Sequence, residues 1–160
     1  MAQPTRILFV CLGNICRSPT GEAVMRGLVA EAGLESEIEV ESAGTGHWHL
    51  GHPPDPRSVD AAAARGVELT GTARQVTAAD FEAFDMLVAM DRSNRDDLLA
   101  LAPDEESRSL VRLLRESGDG AELDVPDPYY GGEDGFAEVV EIVERNCAAL
   151  LREISGETGD

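Results

Sequence analysis

The 160-residue chain contains no lysine: its 13 basic residues are all arginine, set against 31 acidic ones for a formal net charge of −18. Such a balance cannot neutralise a polyphosphate backbone, so nucleic acid is not expected as a partner. Aromatic residues make up only 4% of the chain, which singles out Trp48 and the Tyr129-Tyr130 pair. Three cysteines form an odd count without the spacing of a secreted disulfide scaffold, and this points to a reducing, cytoplasmic compartment. No apolar run approaches the ~20 residues of a membrane span, and no signal-peptide pattern opens the chain, so no membrane association is expected. No repeat, low-complexity tract or linker appears. The length suits one domain over residues 1–160, with a disordered tail from about residue 156.

What is present is an alternation of short apolar runs and amphipathic stretches. Residues 5–11 read as a buried strand, followed by a helix over 19–32 with Val24, Leu28 and Ala32 on one face and Gly33 as its stop. Residues 38–42 alternate as a second strand, and 47–56, rich in Gly, His and Pro, form an irregular loop. An alanine-rich helix is predicted over 57–65, and Thr77 to Asp80 form a variant capping box opening a brief helix. A third strand covers 85–90, Asp91 caps a helix through Leu101, and 110–114 is a fourth strand. The final helix carries one stripe: Phe136, Val139, Val140, Val143, Cys147, Leu150, Leu151 and Ile154. Cys147, inside that stripe, reads as a small core hydrophobe. Strands alternating with helices argue for an α/β fold whose parallel sheet is covered on both faces, with ligands at the carboxyl ends of its strands.

The most specific local feature is the run Cys11-Leu12-Gly13-Asn14-Ile15-Cys16-Arg17-Ser18 between the first strand and first helix. Ser18 reads as the helix N-cap and Pro19 as the first helical residue. A short loop entering a helix N-terminus gathers backbone N–H groups and partial positive charge, so it suits an anion. Arg17 adds a planar fork for two phosphate oxygens. The same field favours a thiolate on Cys11, and the arrangement points to a sulfur nucleophile attacking a bound phosphoryl group. Cleaving an aryl phosphomonoester also needs a proton at the leaving oxygen. Asp127, stiffened between Pro126 and Pro128 beside the two tyrosines, is a candidate donor.

Six motifs occur in order between Cys11 and Gly132: C-L-G-N-I-C-R-S, S-A-G-T, G-H-P-P-D-P-R, A-R-Q, M-D-R-S-N and D-P-Y-Y-G-G. Together they resemble the low-molecular-weight protein tyrosine phosphatases. The resemblance implies a four-stranded parallel sheet flanked by helices on both faces, with a phosphate-binding loop after strand 1. It implies hydrolysis of phosphotyrosine or small aryl phosphates through a phosphocysteine, with no metal or other cofactor. Cys11 would be the nucleophile, Arg17 the ligand of phosphate and transition state, and Asp127 the general acid and then base. Leu12, Gly13, Asn14, Ile15, Cys16 and Ser18 would complete the loop. Asn14 and Ser42 would brace it, and Ser18 would donate to the Cys11 sulfur. Trp48, Tyr129 and Tyr130 would wall the substrate ring. One slot departs from the pattern. Many relatives carry a histidine three residues before the arginine of A-R-Q, where this chain has Gly71. The implied pairing of that histidine with Asp91 is thereby lost, and Asp91 is expected chiefly to cap its helix.

Other readings are weaker. Cys11 and Cys16 with His47, His49 and His52 could suggest a metal site, but the Cys-x4-Cys pair is loosely spaced and the histidines lack helical register. A thioredoxin-coupled arsenate reductase shares the Cys-x5-Arg loop, yet needs two relay cysteines near the third strand, and residues 77–101 contain none. A non-catalytic phosphotyrosine-binding module would typically have lost the nucleophile or the acid. Protein arginine phosphatases resemble this scaffold but carry threonine where this chain has Ile15, and usually a single aromatic after Asp-Pro.

Overall fold

Residues 7–10 are fully buried in strand β1 (Thr5–Cys11). A strand this apolar on both sides belongs at the centre of a covered parallel sheet. It lies there in the computed structural model, which describes residues 3–119, 123–128 and 133–156. Strand β1 pairs in parallel with β2 (Ile38–Gly44) on one edge and with β3 (Met86–Ala89) on the other. Strand β4 (Val111–Leu113) pairs in parallel with β3, giving the order β2-β1-β3-β4. The expected four-stranded sheet is therefore observed.

The period-two alternation of β1 sorts its side chains between two helical layers. Ile7, Phe9 and Cys11 face α1 (Arg17–Glu31) and α6 (Glu133–Ser155), where Met25, Val29, Val143 and Leu150 close over them. Leu8 and Val10 face the opposite layer, against Phe81 of α3 (Asp80–Ala83), Phe84, and Leu98 of α4 (Arg92–Leu101). Each such side chain contributes roughly 1.5–3 kcal/mol on full burial, enough to fix the sheet between its helices. Helix α2 (Pro56–Ala63) rests on α6 through Ala62 and Val140. The one-turn α5 (Glu105–Arg108), capped by Asp104 accepting from Ser107 N at 2.8 Å, is too short to leave a periodic signature and was not expected.

Several boundaries differ from the sequence reading. Helix α1 starts at Arg17, not Pro19, and Ser18 is not its cap: Cys16 holds that position without a side-chain cap bond. The Ser18 hydroxyl is engaged instead by the Cys11 sulfur. Pro19 falls at the third helical position, where a missing N–H still costs no intrahelical bond. Ala32, expected on the buried face, is exposed, and Gly21, Met25 and Val29 carry that face with Val24. Strand β2 runs two residues past Ser42 because Ala43 and Gly44 continue the pairing with Val10 and Cys11. Strands β3 and β4 and helix α2 are trimmed or shifted by one or two residues at their ends. The tail expected from about residue 156 lies, except for Gly156, outside the described residues, as do Tyr129 and Tyr130. No helix among the described residues is long and apolar enough to cross a membrane.

Because β2 and β3 flank β1, the chain leaves the ends of β1 and β3 in opposite directions. The crevice this opens is where α/β sheets seat ligands. Cys11 ends β1, and Asp91 follows β3.

Candidate active site

The loop leaving β1 turns three donors towards one sulfur. Asn14 N and Ser18 N point at Cys11 Sγ from 3.3 and 3.4 Å, and Ser18 Oγ lies 3.0 Å away. The single hydroxyl proton of Ser18 has two possible acceptors, that sulfur and the Ala43 carbonyl at 3.3 Å. An ionised sulfur makes the stronger, charge-assisted bond. Asn14 turns the corner at φ 56°, a left-handed conformation asparagine tolerates better than most residues. Its carboxamide then fastens the loop. Nδ2 donates to Ser18 Oγ at 2.8 Å and Ser42 Oγ at 3.0 Å, while Oδ1 accepts from Arg74 N at 3.0 Å. Ser42 donates onward to Glu22 at 2.6 Å.

The loop carbonyls are engaged outside the cup: Cys11 O by Thr45 N, Leu12 O by Gly46 N, Ile15 O by Asp55 N, and Cys16 O by Thr20. That leaves the N–H edge for the interior, the polarity an anion site needs. Gly44 makes the close approach of β2 possible. A Cβ there would sit 2.8 Å from Leu12 O and 3.1 Å from Asn14 N.

Arg17 is 2% exposed. Its Nη1 donates to Asp91 Oδ2 at 2.6 Å and to Val125 O at 3.0 Å, and its Nη2 lies 3.5 Å from Asp127 Oδ2. Burial works against the guanidinium charge, but the Cys11 sulfur, the Asp91 bond and charge, and Asp127 outweigh it and raise the pKa above its ordinary value. Asp91 divides its carboxylate: Oδ1 accepts from Asn94 N at 2.7 Å as the cap of α4, and Oδ2 holds Arg17. It therefore caps its helix as expected and orients the arginine as well. The slot at Gly71 lies elsewhere, in a groove with Glu22, Arg26, Ser42 and Arg74, so it belongs to the Ser42 side of the loop and not to Asp91.

A cleft of about 310 Å³ opens above the sulfur, and Trp48, His49 and Asp127 complete the wall begun by the loop residues. Trp48 is 63% exposed and stacks on His47 with ring centroids 5.5 Å apart. Cys16 is buried beside Cys11, and burial pushes its thiol up to about 12 despite a hydrogen bond from Ser58. Cys147 is fully buried in α6, and burial likewise raises its pKa. Among the described residues no group of three or more His, Cys, Asp or Glu side chains is arranged to hold a metal ion.

Sequence reasoning missed the anchors of segment 123–128. Arg92 pairs with the Asp124 carboxylate at 3.1 Å, Arg115 donates to the Asp124 carbonyl at 2.7 Å, and Val125 N donates to Met90 O at 2.8 Å. Arginines far apart in the chain carry no spacing signal that would link them to residue 124. Asp55 and Arg57, in contrast, lie inside G-H-P-P-D-P-R. They pair at 2.9 Å, and Arg57 covers the Phe136 ring.

Comparison with known proteins agrees with this geometry. A profile described as low molecular weight phosphotyrosine protein phosphatase matches residues 6–159. A low molecular weight protein-tyrosine-phosphatase of Streptomyces coelicolor is 48% identical over 149 residues, 91% of each chain. The crystal structure of YfkJ from Bacillus subtilis superposes with a TM-score of 0.90 at 40% identity, covering 98% of both chains. A structure of the YwlE arginine phosphatase also superposes, with a TM-score of 0.86 but only 25% identity, over 96% of this chain and 98% of that one. A profile match over residues 6–159, with near-half identity to a relative over 91% of each chain, makes the chain a member of the low molecular weight phosphotyrosine protein phosphatase family.

Proposed function

We propose that this chain, acting as a single domain, hydrolyses phosphotyrosine in proteins and small aryl phosphates through a phosphocysteine. The observation that carries this is the convergence of Asn14 N, Ser18 N and Ser18 Oγ on Cys11 Sγ, at the floor of a cleft walled by Trp48 and Asp127. In the first step Cys11 Sγ attacks phosphorus, the P–O bond to the phenol breaks, and Asp127 gives its proton to the leaving oxygen. In the second step the Asp127 carboxylate takes a proton from water, the water oxygen attacks phosphorus, and the S–P bond breaks to release phosphate and the thiolate. Arg17 holds the equatorial phosphoryl oxygens, with Asp91 and Val125 O fixing its fork. Leu12, Gly13, Asn14, Ile15, Cys16 and Ser18 form the anion cup, and Ser42 braces it through Asn14.

The substrate preference rests on the wall chemistry. Ile15 offers no hydroxyl to a guanidinium, and Trp48 offers a flat apolar face to a phenol ring. Tyr129 and Tyr130 are assigned to the same wall from the family motif alone. Three free thiols among three cysteines fit a reducing, cytoplasmic setting.

Turnover of matched peptides carrying phosphotyrosine, phosphoarginine or phosphoserine tests the reading. Phosphotyrosine should be cleaved at least about tenfold faster than the others. Cys11→Ser should abolish turnover yet still bind inorganic phosphate, since the N–H cup and Arg17 remain. Appreciable activity in that variant, or a preference for phosphoarginine, would overturn the proposal.

A further inference from the structure

Arg115 belongs to a 3₁₀ turn after β4 (Leu114–Glu116), is 8% exposed, and does not line the cleft. Its Nη1 donates to the Asp124 carbonyl and its Nε to Asp119 Oδ2, both at 2.7 Å. Asp119 is itself tied to α6. It accepts from Arg145 Nε at 2.8 Å and Asn146 Nδ2 at 2.9 Å, and its own N–H donates to Asn146 Oδ1 at 3.2 Å. Asn146 is fully buried, and a Cβ on Gly118 would come within 2.5 Å of its Oδ1, so a side chain at 118 would push that amide out of place. A continuous polar strut thus runs from the buried face of α6 to a backbone carbonyl three positions before Asp127.

We propose that Arg115 is a positioning residue for the proton donor. It sets where the segment 124–127 lies over the Cys11 sulfur and so where the Asp127 carboxyl meets the leaving oxygen. The inference rests on Asp127 being the general acid. Three arginines hold this short segment, and they are not equivalent. Arg92 grips the Asp124 carboxylate from Nε and Nη2 at 3.2 and 3.1 Å and from its backbone N–H at 2.9 Å. It does so at the surface, with side chains 59% and 36% exposed, and it leaves the Asp124 carbonyl to Arg115. Arg17 binds the Val125 carbonyl at 3.0 Å, but it also serves the phosphoryl group. Arg115 is buried, bridges two acceptors, and touches no reacting atom. Pro126 and Pro128 lock φ on either side of Asp127. The Pro126 ring removes one torsion between Asp124 and Asp127, so less of a shift at Asp124 is absorbed before it reaches the carboxyl. Misplacement by ~1 Å can cost on the order of 100-fold in rate.

The test is the dependence of kcat/KM on leaving-group pKa, measured with a series of aryl phosphates on the full chain, because kcat/KM reports formation of the phosphocysteine. Wild type, Arg115→Met, Arg115→Lys and Asp127→Asn are compared. Arg115→Met should lose about 5- to 20-fold more on phenyl phosphate than on dinitrophenyl phosphate, whose leaving group needs no proton. Arg115→Lys, which keeps the charge but replaces the rigid fork with a single ammonium, should fall between. The ratio of two substrates on one preparation cancels any unfolded fraction, so partial destabilisation does not blur the result. A loss equal for all leaving groups would mean that Arg115 supports only the fold, and would overturn the inference. If Asp127→Asn leaves the leaving-group dependence unchanged, the acid assignment fails and this inference fails with it. If Asp127→Asn steepens it while Arg115→Met does not, only the positioning role is lost.

Discussion

Asp91 Oδ2 meets Arg17 Nη1 at 2.6 Å, with the arginine side chain 3% exposed and the aspartate 20% exposed. A guanidinium this deeply buried depends on its partner, because removing one member of a buried pair leaves an uncompensated charge. The same carboxylate caps α4, so the helix end and the proposed phosphate ligand are positioned by one residue. Two variants separate its roles. Asp91→Asn keeps an oxygen for Asn94 N and loses the charge. It should lower kcat/KM for phenyl phosphate about 10- to 100-fold and destabilise the fold by about 1–3 kcal/mol. Asp91→Ala should lose about a further 1 kcal/mol with the cap. Steady-state kinetics and thermal unfolding read both effects, and an unchanged kcat/KM in Asp91→Asn would remove the charge from the account.

Cys11 and Cys16 are both buried in one loop, 2% and 4% exposed. Peroxide should oxidise Cys11, the proposed nucleophile, first to a sulfenic acid, and a neighbouring thiolate can then displace hydroxide to form a disulfide. Activity lost to peroxide should return with a thiol reductant in the wild type and return much less in Cys16→Ser. Burial holds the Cys16 thiol up near 12, so little of it is ionised at neutral pH. Disulfide closure should therefore speed up close to tenfold for each unit of rising pH, followed by mass spectrometry of quenched samples. Equal recovery in the two proteins would dismiss the protective role.

Acid should loosen the strut on α6. Asp119 titrates well below the ordinary carboxylate range, chiefly through its bond from Arg145, with Asn146 and Arg115 adding and burial opposing. A carboxylate depressed in the folded state stabilises fully above its unfolded pKa of about 3.9, and that contribution fades as pH falls from there towards the folded value. Wild-type Tm should drop steeply below about pH 4, and Asp119→Asn, less stable at neutral pH, should show a shallower acid limb. Parallel acid limbs in the two proteins would show that the Asp119 charge is not responsible.

Salt should help this enzyme with acidic substrates. The chain carries −18 overall, and Arg17 in the cleft is matched by Asp91 at 2.6 Å, as Arg57 is by Asp55 at 2.9 Å and Arg92 by Asp124 at 3.1 Å. Repulsion of an acidic phosphopeptide acts over distances near the Debye length, about 10 Å at 0.1 M salt, whereas the cup acts at contact and is screened less. The value of kcat/KM for an acidic phosphotyrosine peptide should rise with inert monovalent salt, and a neutral-flanked aryl phosphate should respond less. A steady fall for the acidic peptide would show instead that the cleft field is positive despite the net charge.

Much of the fold was legible from local pattern. The apolar run of residues 7–10 marked the central strand, and the stripe from Phe136 to Leu150 marked the long terminal helix, because burial on a regular element imposes its period on the chain. Element ends were less legible. Ser18 next to Pro19 has the form of a helix cap, yet its hydroxyl lies 3.0 Å from the Cys11 sulfur and α1 begins earlier, at Arg17. The one-turn α5 left no period to read.

By itself the sequence determined which groups meet in the cup: a cysteine, an arginine six residues on, and a turn of Gly13 and Asn14 lie within eight consecutive residues, so loop geometry alone brings them together. Asp127 could be named because its motif is local too. Tertiary structure alone decided what holds these groups in place. Asp91 comes 74 positions after Arg17, Val125 comes 108 after it, and Asn146 is 27 away from Asp119. Contacts across such separations have no period and no fixed spacing in the chain. They exist only once a parallel sheet has gathered the carboxyl ends of its strands and α6 has packed beneath them.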